Sequence, residues 1–560
     1  MIQTVSTVKV SHNEAIKAAT PTLAGEIAKT LADPSAERFS EDDTQFMKFH
    51  GIYQQDDRDK RKTGKQYIFM VRTRLPGGVM PSSQYLHLDH LSTVYGNNTL
   101  RATSRQGFQF HGILKFGLGK TIKALNEAMV TTLAACGDVN RNVMAPSTPS
   151  TSPLVERVLQ DARLLSAALL PKTPAYHQIW VEGVQLNLED EAVKSFEDPL
   201  YGKTYLPRKF KVAFAIPPLN DVDVFTNCLG FVAIGEGDRL DGYNLLAGGG
   251  LGMSHGNAET YPRAADVVGF VTPDRIEQFA KAAVTVHRDF GDRENRKHAR
   301  LKYVLEEKGV AWFRHEVEER AGFKFEPARP SKFTRQGDIF GWHRQFDGRH
   351  FLGLYVETGR IKDTESHQLK TALRSLAEKF AFEVRLTPSQ NVILANIPGG
   401  QVDTFTAILA EHGVPVENQA SLIRRASMAC PALPTCGLAL SESERVLPSI
   451  LGRLETLLAE TNLQDEQIIV RMTGCPNGCA RPYMAEIGIV GRAPGKYQVY
   501  LGGNEGCTRL NRLWKENVQE AALMDELRPL FNRFSTERIG GERFGDFCHR
   551  AIWAGAAAAN

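Results

Sequence analysis

No stretch of this 560-residue chain reaches the roughly 18 consecutive apolar residues of a membrane-spanning helix, which argues against a helical membrane protein. The amino terminus, MIQTVSTVKVSHNEAIKAA, lacks the basic stretch and apolar core of a secretory signal, so a reducing cytoplasm is the expected setting. Cysteine is scarce. Eight residues do not make a disulfide framework for so long a chain, and Cys136, Cys228, Cys507 and Cys548 stand alone, as inert thiols do. The net charge of only +3 does not suggest a broad nucleic-acid-binding surface and leaves any role of positive charge to local placement. Nucleotide loops are missing too: Gly248-Gly249-Gly250 with Gly252 fits neither G-x-G-x-x-G nor a P-loop. That run reads as a close approach of backbone to a flat ligand or to another strand. With no recognisable nicotinamide or flavin site, any electrons used here must arrive from elsewhere.

What is present is a degenerate duplication. The length calls for three or four domains, and one offset of 284 residues organises them. It lays Arg101 on Arg385, Thr103 on Thr387, Gln106 on Gln390 and Ile113 on Ile397, then Arg141 on Arg425, Met144 on Met428 and Ala145 on Ala429. Each copy reads as strand, helix, strand. The first begins at Tyr67–Arg74 and breaks at Pro76-Gly77-Gly78; the second begins at Phe351–Val356 and breaks near Gly359. The clearest helix spans Gln368–Phe380, with Leu369, Ala372, Leu373 and Leu376 on one face. A larger α/β segment follows each copy. The first holds the loop Ala145–Pro153, strands at Lys209–Ile216 and Phe231–Ile234, and a helix opened by Thr272 and Pro273. In the second, Gln467–Met472 takes the place of Lys209–Ile216. The halves differ where chemistry would sit: Cys430 replaces Pro146, while Arg105 and His111 become Ser389 and Ala395.

Cys430 and Cys436, in CPALPTC, and Cys475 and Cys479, in CPNGC, are candidate metal ligands. Flanking Pro and Gly bend the backbone so that four thiolates can converge, which suits an iron–sulfur cluster or zinc. Zinc ribbons favour Cys-x2-Cys knuckles. The wider spacings here favour a cluster and leave structural zinc as the alternative. Basic residues recur at strand spacing: Arg72 with Arg74, and Lys209 with Lys211, each pair expected on one face. Arg101 and Arg105 flank the turn into Phe108-Gln109-Phe110-His111, and Arg141 lies between two asparagines. Such charges can form a solvated face, but strands that also alternate apolar residues would turn them inward. Buried cations require anions: a polycarboxylate cofactor or a small oxyanion.

Eight stretches carry a resemblance. FHGIYQQDDRD (Phe49–Asp59), RLPGG, RQGFQFHGI, NRNV, YLPRKFK, NLLAGGGL, MACPALPTC and TGCPNGCARP resemble the assimilatory sulfite reductase hemoproteins, β subunits of NADPH-dependent enzymes in the siroheme sulfite/nitrite reductase superfamily. The likeness runs from about residue 45 to about residue 550; the first 40 or so residues and the Ala-rich tail match little. It implies an α+β fold of pseudo-twofold duplicated ferredoxin-like repeats plus two related larger α/β domains. The expected division is an arm and wrapping segment at 1–66, the first half-repeat at 67–134, a siroheme-contacting α/β domain at 135–330, the second half-repeat at 331–409, and the cysteine-bearing α/β domain at 410–560. The resemblance further implies siroheme coupled to a [4Fe–4S] cluster and six-electron reduction of sulfite to sulfide. By motif position, Cys430, Cys436, Cys475 and Cys479 would hold the cluster, with Cys479 shared with the siroheme iron. Arg72, Arg141, Lys209 and Lys211 would face sulfite, while Arg101, Arg105 and His111 would pair with siroheme carboxylates or support residues that do. The implied donor is a flavoprotein subunit using NADPH, FAD and FMN, with ferredoxin as the alternative; neither nucleic acid nor membrane is an expected partner. A siroheme nitrite reductase and a zinc-binding module are the competing readings.

Overall fold

The computed structural model describes residues 10–20, 22–149, 152–173, 180–181, 184–185, 196–417 and 419–554. The first residues of the N-terminal arm, part of the loop Ala145–Pro153 and the alanine-rich tail therefore lie outside the described residues.

Two five-stranded antiparallel sheets correspond to the two repeats. In the first, the strands run in the spatial order Ile52–Asp56, Tyr67–Arg72, Phe108–Ile113, Leu100–Ala102, Arg360–Ile361. In the second the order is Gly341–Arg344, His350–Leu354, Val392–Ile397, Glu383–Leu386, Val79–Pro81. Aromatic and β-branched residues at alternate positions drive this pairing: Val71 faces Phe110 across the first sheet, and both are fully buried. Each sheet takes its last strand from the other half. Arg360 pairs with Arg101, and Val79 pairs with Arg385, so the two edges are covered reciprocally. The turns that deliver these strands, Pro76–Gly78 and Glu357–Gly359, share a left-handed residue at Gly77 (φ 65°) and Thr358 (φ 53°). The next residue must be glycine in both. A Cβ on Gly78 would stand 2.6 Å from the Leu386 carbonyl oxygen, and one on Gly359 would stand 2.4 Å from that of Ala102.

Several boundaries shift from the sequence reading. The strand expected over Tyr67–Arg74 ends at Arg72, because the Arg74 backbone pairs with Thr131 outside the sheet. Ile52–Asp56, placed with the arm by sequence, is the edge strand of the first sheet. The helix read as Gln368–Phe380 spans Leu369–Lys379, with Leu369, Ala372, Leu373 and Leu376 buried. The helix opened by Thr272 and Pro273 starts as one 3-10 turn, Pro273–Arg275, and continues as Ile276–Phe290.

The two α/β segments also match. In the first, Val212–Ala215 runs parallel to Leu229–Glu236, and Arg239–Ala247 and Asp266–Val271 follow antiparallel. In the second, Val470–Thr473 runs parallel to Ile487–Ala493, and Lys496–Leu501 and Arg512–Gln519 follow antiparallel. Helix Leu447–Glu460 buries Ile450, Leu451, Leu454, Leu457 and Leu458 against this second sheet, an apolar stripe at helical spacing.

The duplication reaches single hydrogen bonds. Gln106 Nε2 donates to the Ala145 carbonyl at 2.8 Å, and the Ala145 amide donates to Gln106 Oε1 at 3.0 Å. Gln390 and Ala429 repeat this exchange at 2.8 and 3.1 Å. Both glutamines have positive φ, 53° and 73°, and each follows a Thr whose hydroxyl accepts a backbone N–H four residues on. The residue after each tethered alanine is therefore presented identically. One is Pro146 and the other Cys430.

Candidate active site between the two halves

A cavity of about 400 Å³ lies between the halves. The second half contributes all four candidate cysteines. The first contributes most of the basic residues, and the N-terminal helix His12–Ala19 adds Asn13, Ile16 and Lys17 to the wall. That helix is fixed by buried charge: Lys17 Nζ donates to the Leu206 carbonyl at 2.8 Å and lies 3.6 Å from Asp138, while Glu14 accepts from Arg293.

The parallel strand pair sets the cysteine side. Cys430 follows the short strand Met428–Ala429, and Cys475 follows Val470–Thr473 directly beside it. The Gly474 amide donates to Cys430 Sγ at 3.3 Å, and Asn477 Nδ2 lies 3.6 Å from Cys475 Sγ. Cys430 and Cys475 are buried, Cys436 is half-buried and Cys479 is exposed to the cavity. Burial, and then the neighbouring Cys479, push the Cys430 thiol well up and the Cys475 thiol to about 12. Thiols so poised form thiolates when a metal replaces the proton. Among the described residues no three His, Cys, Asp or Glu side chains stand close enough to share a single ion.

First-half residues hold this cysteine loop in place. Ser104 Oγ donates to the Cys479 carbonyl at 2.8 Å, and the Met253 amide donates to that of Pro476 at 3.0 Å. The glycine run acts through its backbone: a Cβ on Gly249 would lie 2.2 Å from the Phe225 carbonyl oxygen. Lys302, held down to about 7 by burial and by Arg300, donates to the carbonyls of Gly250 and Gly252 at 3.1 and 3.0 Å.

Ten lysines and arginines line the cavity against one carboxylate, Asp138. Asp138 is taken by Arg296, at 2.8 and 3.1 Å, and by Lys17. Lys48, Arg72, Arg105, Arg141, Arg208, Lys209 and Lys211 have no carboxylate partner among the described residues. Like charges about 4 Å apart repel by about 4 kcal/mol at an effective dielectric of about 20, so such a set is stable only by losing protons or taking up anions. Both lysines show the strain. Burial first, then Arg208 for Lys209 and Arg105 for Lys211, hold their ammonium groups well below the usual range. The same causes bring Arg105 down to about 9 and Lys48 to about 8, with Arg481 and Arg296 as the respective leading neighbours.

The structure brings Arg72, Arg101, Arg105, His111, Arg141, Lys209, Lys211 and the four cysteines to this one cavity. Arg74 is not among them. It is buried, and its guanidinium donates to the carbonyls of Asn140 and Ser166 at 2.9 and 3.0 Å, so the expected pairing of Arg72 and Arg74 on one face fails where the strand stops. Arg101 is also committed internally, to Glu444 at 2.9 Å and to the Ala429 carbonyl at 2.7 Å. Arg105 is held to Asn227 Oδ1 at 2.8 Å, and Arg141 Nε to the Gly137 carbonyl at 2.8 Å. Arg72 donates to Cys136 Sγ at 3.1 Å and, with the Gln109 amide in the orientation that satisfies both its ends, to Gln109 at 3.1 Å. His111 Nε2 is buried without a hydrogen-bond partner, and burial followed by Arg360 keeps its ring neutral. Sequence reasoning missed Arg208, Arg296, Lys48, Tyr53 and the N-terminal helix. Arg208 could have been taken from YLPRKFK itself; the others depend on contacts between distant segments.

An orphaned imidazole, uncompensated cations and four converging thiols fit a large polyanionic macrocycle beside an iron–sulfur cluster. The comparisons agree with that chemistry. The nitrite and sulphite reductase 4Fe-4S domain matches residues 160–325, and the nitrite/sulfite reductase ferredoxin-like half domain matches twice, at 60–128 and 343–412. The 4Fe-4S match thus falls on the first α/β copy, which holds none of the four cysteines. The solved Mycobacterium tuberculosis NirA protein has the same fold, with a TM-score of 0.79 at 24% identity over 97% of each chain. The fold and site thus define a member of the nitrite and sulfite reductase class. Sulfite reductase [NADPH] hemoprotein β-components of Myxococcus xanthus (50% identical; 97% of this chain, 96% of the relative), Geobacillus kaustophilus (46%; 97% and 95%) and Staphylococcus saprophyticus (45%; 97% and 96%) are similar over nearly their whole lengths. At that identity and coverage the chain belongs to the sulfite reductase hemoprotein β-component family.

Proposed function

We propose that this chain is the hemoprotein component of a sulfite reductase, converting sulfite, six electrons and seven protons into hydrosulfide and three waters. The carrying observation is that four thiols and a set of unpaired cations line one cavity. Cys430, Cys436, Cys475 and Cys479 would hold a [4Fe–4S] cluster. Cys479, the thiol exposed to the cavity, would be shared with the iron of siroheme. Bound together, these groups would supply low-potential electrons and an iron at which sulfite is reduced.

The chain's own residues do the rest. Arg72 and Arg141, fixed through Cys136, Gln109 and Gly137, offer forked donors that match an oxyanion. Burial and neighbouring cations hold Lys209 and Lys211 below their ordinary range, and an entering anion raises their affinity for protons. Their Nζ atoms are thus placed to hold protons near oxygens that leave as water. Arg105 and His111 would pair with the macrocycle's carboxylates or support residues that do. Arg101 acts through Glu444 as a support.

Electrons come from a separate flavoprotein component that oxidises NADPH, with ferredoxin as the alternative donor. No described helix is long and apolar enough to cross a membrane, and we place the enzyme in the cytoplasm. The divisions at 134, 330 and 409 stand as the domain plan, and the first half-repeat begins with its edge strand Ile52–Asp56 rather than at 67. Steady-state turnover with reduced methyl viologen tests the assignment. Sulfite is expected to give the higher kcat/KM, and a much higher value for nitrite would overturn it.

A further inference from the structure

We infer that the exposed basic turn at residues 58–65 is the docking surface for the acidic face of the flavoprotein donor. This rests on the reading that electrons come from a separate protein. The turn, Arg58–Thr63, is a 3-10 segment that leaves the edge strand Ile52–Asp56 of the first half. It is stapled to the cysteine loop of the second half. The Arg58 amide donates to the Pro434 carbonyl at 3.2 Å, and its guanidinium donates to the carbonyls of Gly437 and Ala439 at 2.6 and 2.7 Å. Asp59 accepts from Arg445 at 2.7 Å, and Arg61 closes back on Asp56. Asp56 and Asp59 are thereby paired, and Asp57 caps the turn by accepting the Asp59 amide at 3.0 Å. Lys60, Lys62 and Lys65 point outward, are exposed and have no ion-pair partner among the described residues.

Three unspent positive charges therefore stand over the loop that carries Cys436. Between the two carbonyls gripped by Arg58, Leu438 is 67% exposed at the rim of the cavity, which it also lines. A charged rim around an exposed apolar residue is the pattern of a small, transient interface, in which complementary charge sets the encounter rate. A donor seated here would lose one electron from its reduced flavin to the cluster held beneath the turn, and six such transfers serve each sulfite. The chain as a whole is nearly neutral, so this local excess, and not overall charge, would steer an acidic partner.

The test compares the holoenzyme with its Lys60→Glu/Lys62→Glu/Lys65→Glu variant. Two donors are used: the NADPH-oxidising flavoprotein from the same organism, and reduced methyl viologen, a small dication that requires no docking site. At low ionic strength the variant is expected to bind the flavoprotein about 10-fold more weakly and to accept its electrons about 10-fold more slowly. Viologen-driven sulfite reduction should stay within about 2-fold, and the salt dependence of flavoprotein binding should flatten. Unchanged flavoprotein affinity and rate in the variant, or equal slowing with both donors, overturns the docking surface. Wild-type enzyme that works with viologen but neither binds nor accepts electrons from the flavoprotein overturns it as well. Wild-type enzyme inactive toward sulfite with viologen would instead bring down the reductase reading.

Discussion

In the first half Gln106 reaches across to Ala145, and the residue after it is Pro146; in the second Gln390 reaches to Ala429, and the residue after it is Cys430. The backbone, the positive φ and both hydrogen bonds agree between the copies. Only the side chains differ. The second copy supplies a thiol and has Ser389 and Ala395, where the first supplies Arg105 and His111. A duplicated frame thus fixes where groups can stand, and substitution on that frame decides whether a position serves the metal or the anion. Because each half lends the other an edge strand, the two chemistries are held at one cavity.

The sharpest way to break this division is at Cys479. Cys479→Ser is expected to abolish activity, by about 100-fold or more, and to remove the spectroscopic coupling between cluster and haem, read by visible absorption and electron paramagnetic resonance. Next in size, Lys209→Met or Lys211→Met should retain both cofactors in the absorption spectrum while lowering kcat by about 100- to 1,000-fold, the range of a lost proton donor or oxyanion partner. Loss of siroheme in either variant would move these lysines from substrate to cofactor binding.

The paired glutamines sharpen the comparison itself. Gln106→Ala and Gln390→Ala each remove a buried two-way hydrogen bond and should each cost about 2–4 kcal/mol of stability in denaturant titrations. Only Gln390→Ala should also lower the iron content, because only its partner alanine precedes a cysteine. Equal iron loss in both would show that the frame, and not the side chain, carries the metal site.

The smallest effect concerns Lys48. Burial, then Arg296, holds its ammonium down to about 8, against 10.5 ordinarily. Between those values the unfolded chain binds more protons than the folded one, so stability from this group rises with pH across about 8 to 10.5. Lys48→Met should flatten that rise, as read from urea midpoints in the cofactor-free protein.

Much of this was legible in the chain. The offset that aligns Arg101 with Arg385 also pointed to Cys430 against Pro146. Lys209 and Lys211 do reach one cavity, although the strand read at Lys209–Ile216 begins only at Val212 and Phe210 between them makes an isolated bridge to Asn140. Arg72 and Arg74 do not share it, because their strand ends at Arg72 and the Arg74 backbone turns to Thr131 while its guanidinium is held by Asn140 and Ser166. Arg101 looked like Arg105 in sequence, yet Glu444, 343 residues away, claims it. The N-terminal helix carried no recognisable motif, but Lys17 and Glu14 bury their charges against Asp138 and Arg293 and so close the wall.

By itself, then, the sequence determined the local matters: which residues can ligate metal, where turns demand glycine, which positions repeat. These depend on side-chain chemistry and on backbone conformations set by near neighbours. Only the tertiary structure decided which cations go unpaired, which half lends a strand to the other, and what faces the cavity. Those outcomes rest on burial and on charge pairing between segments hundreds of residues apart, and short-range pattern does not encode either.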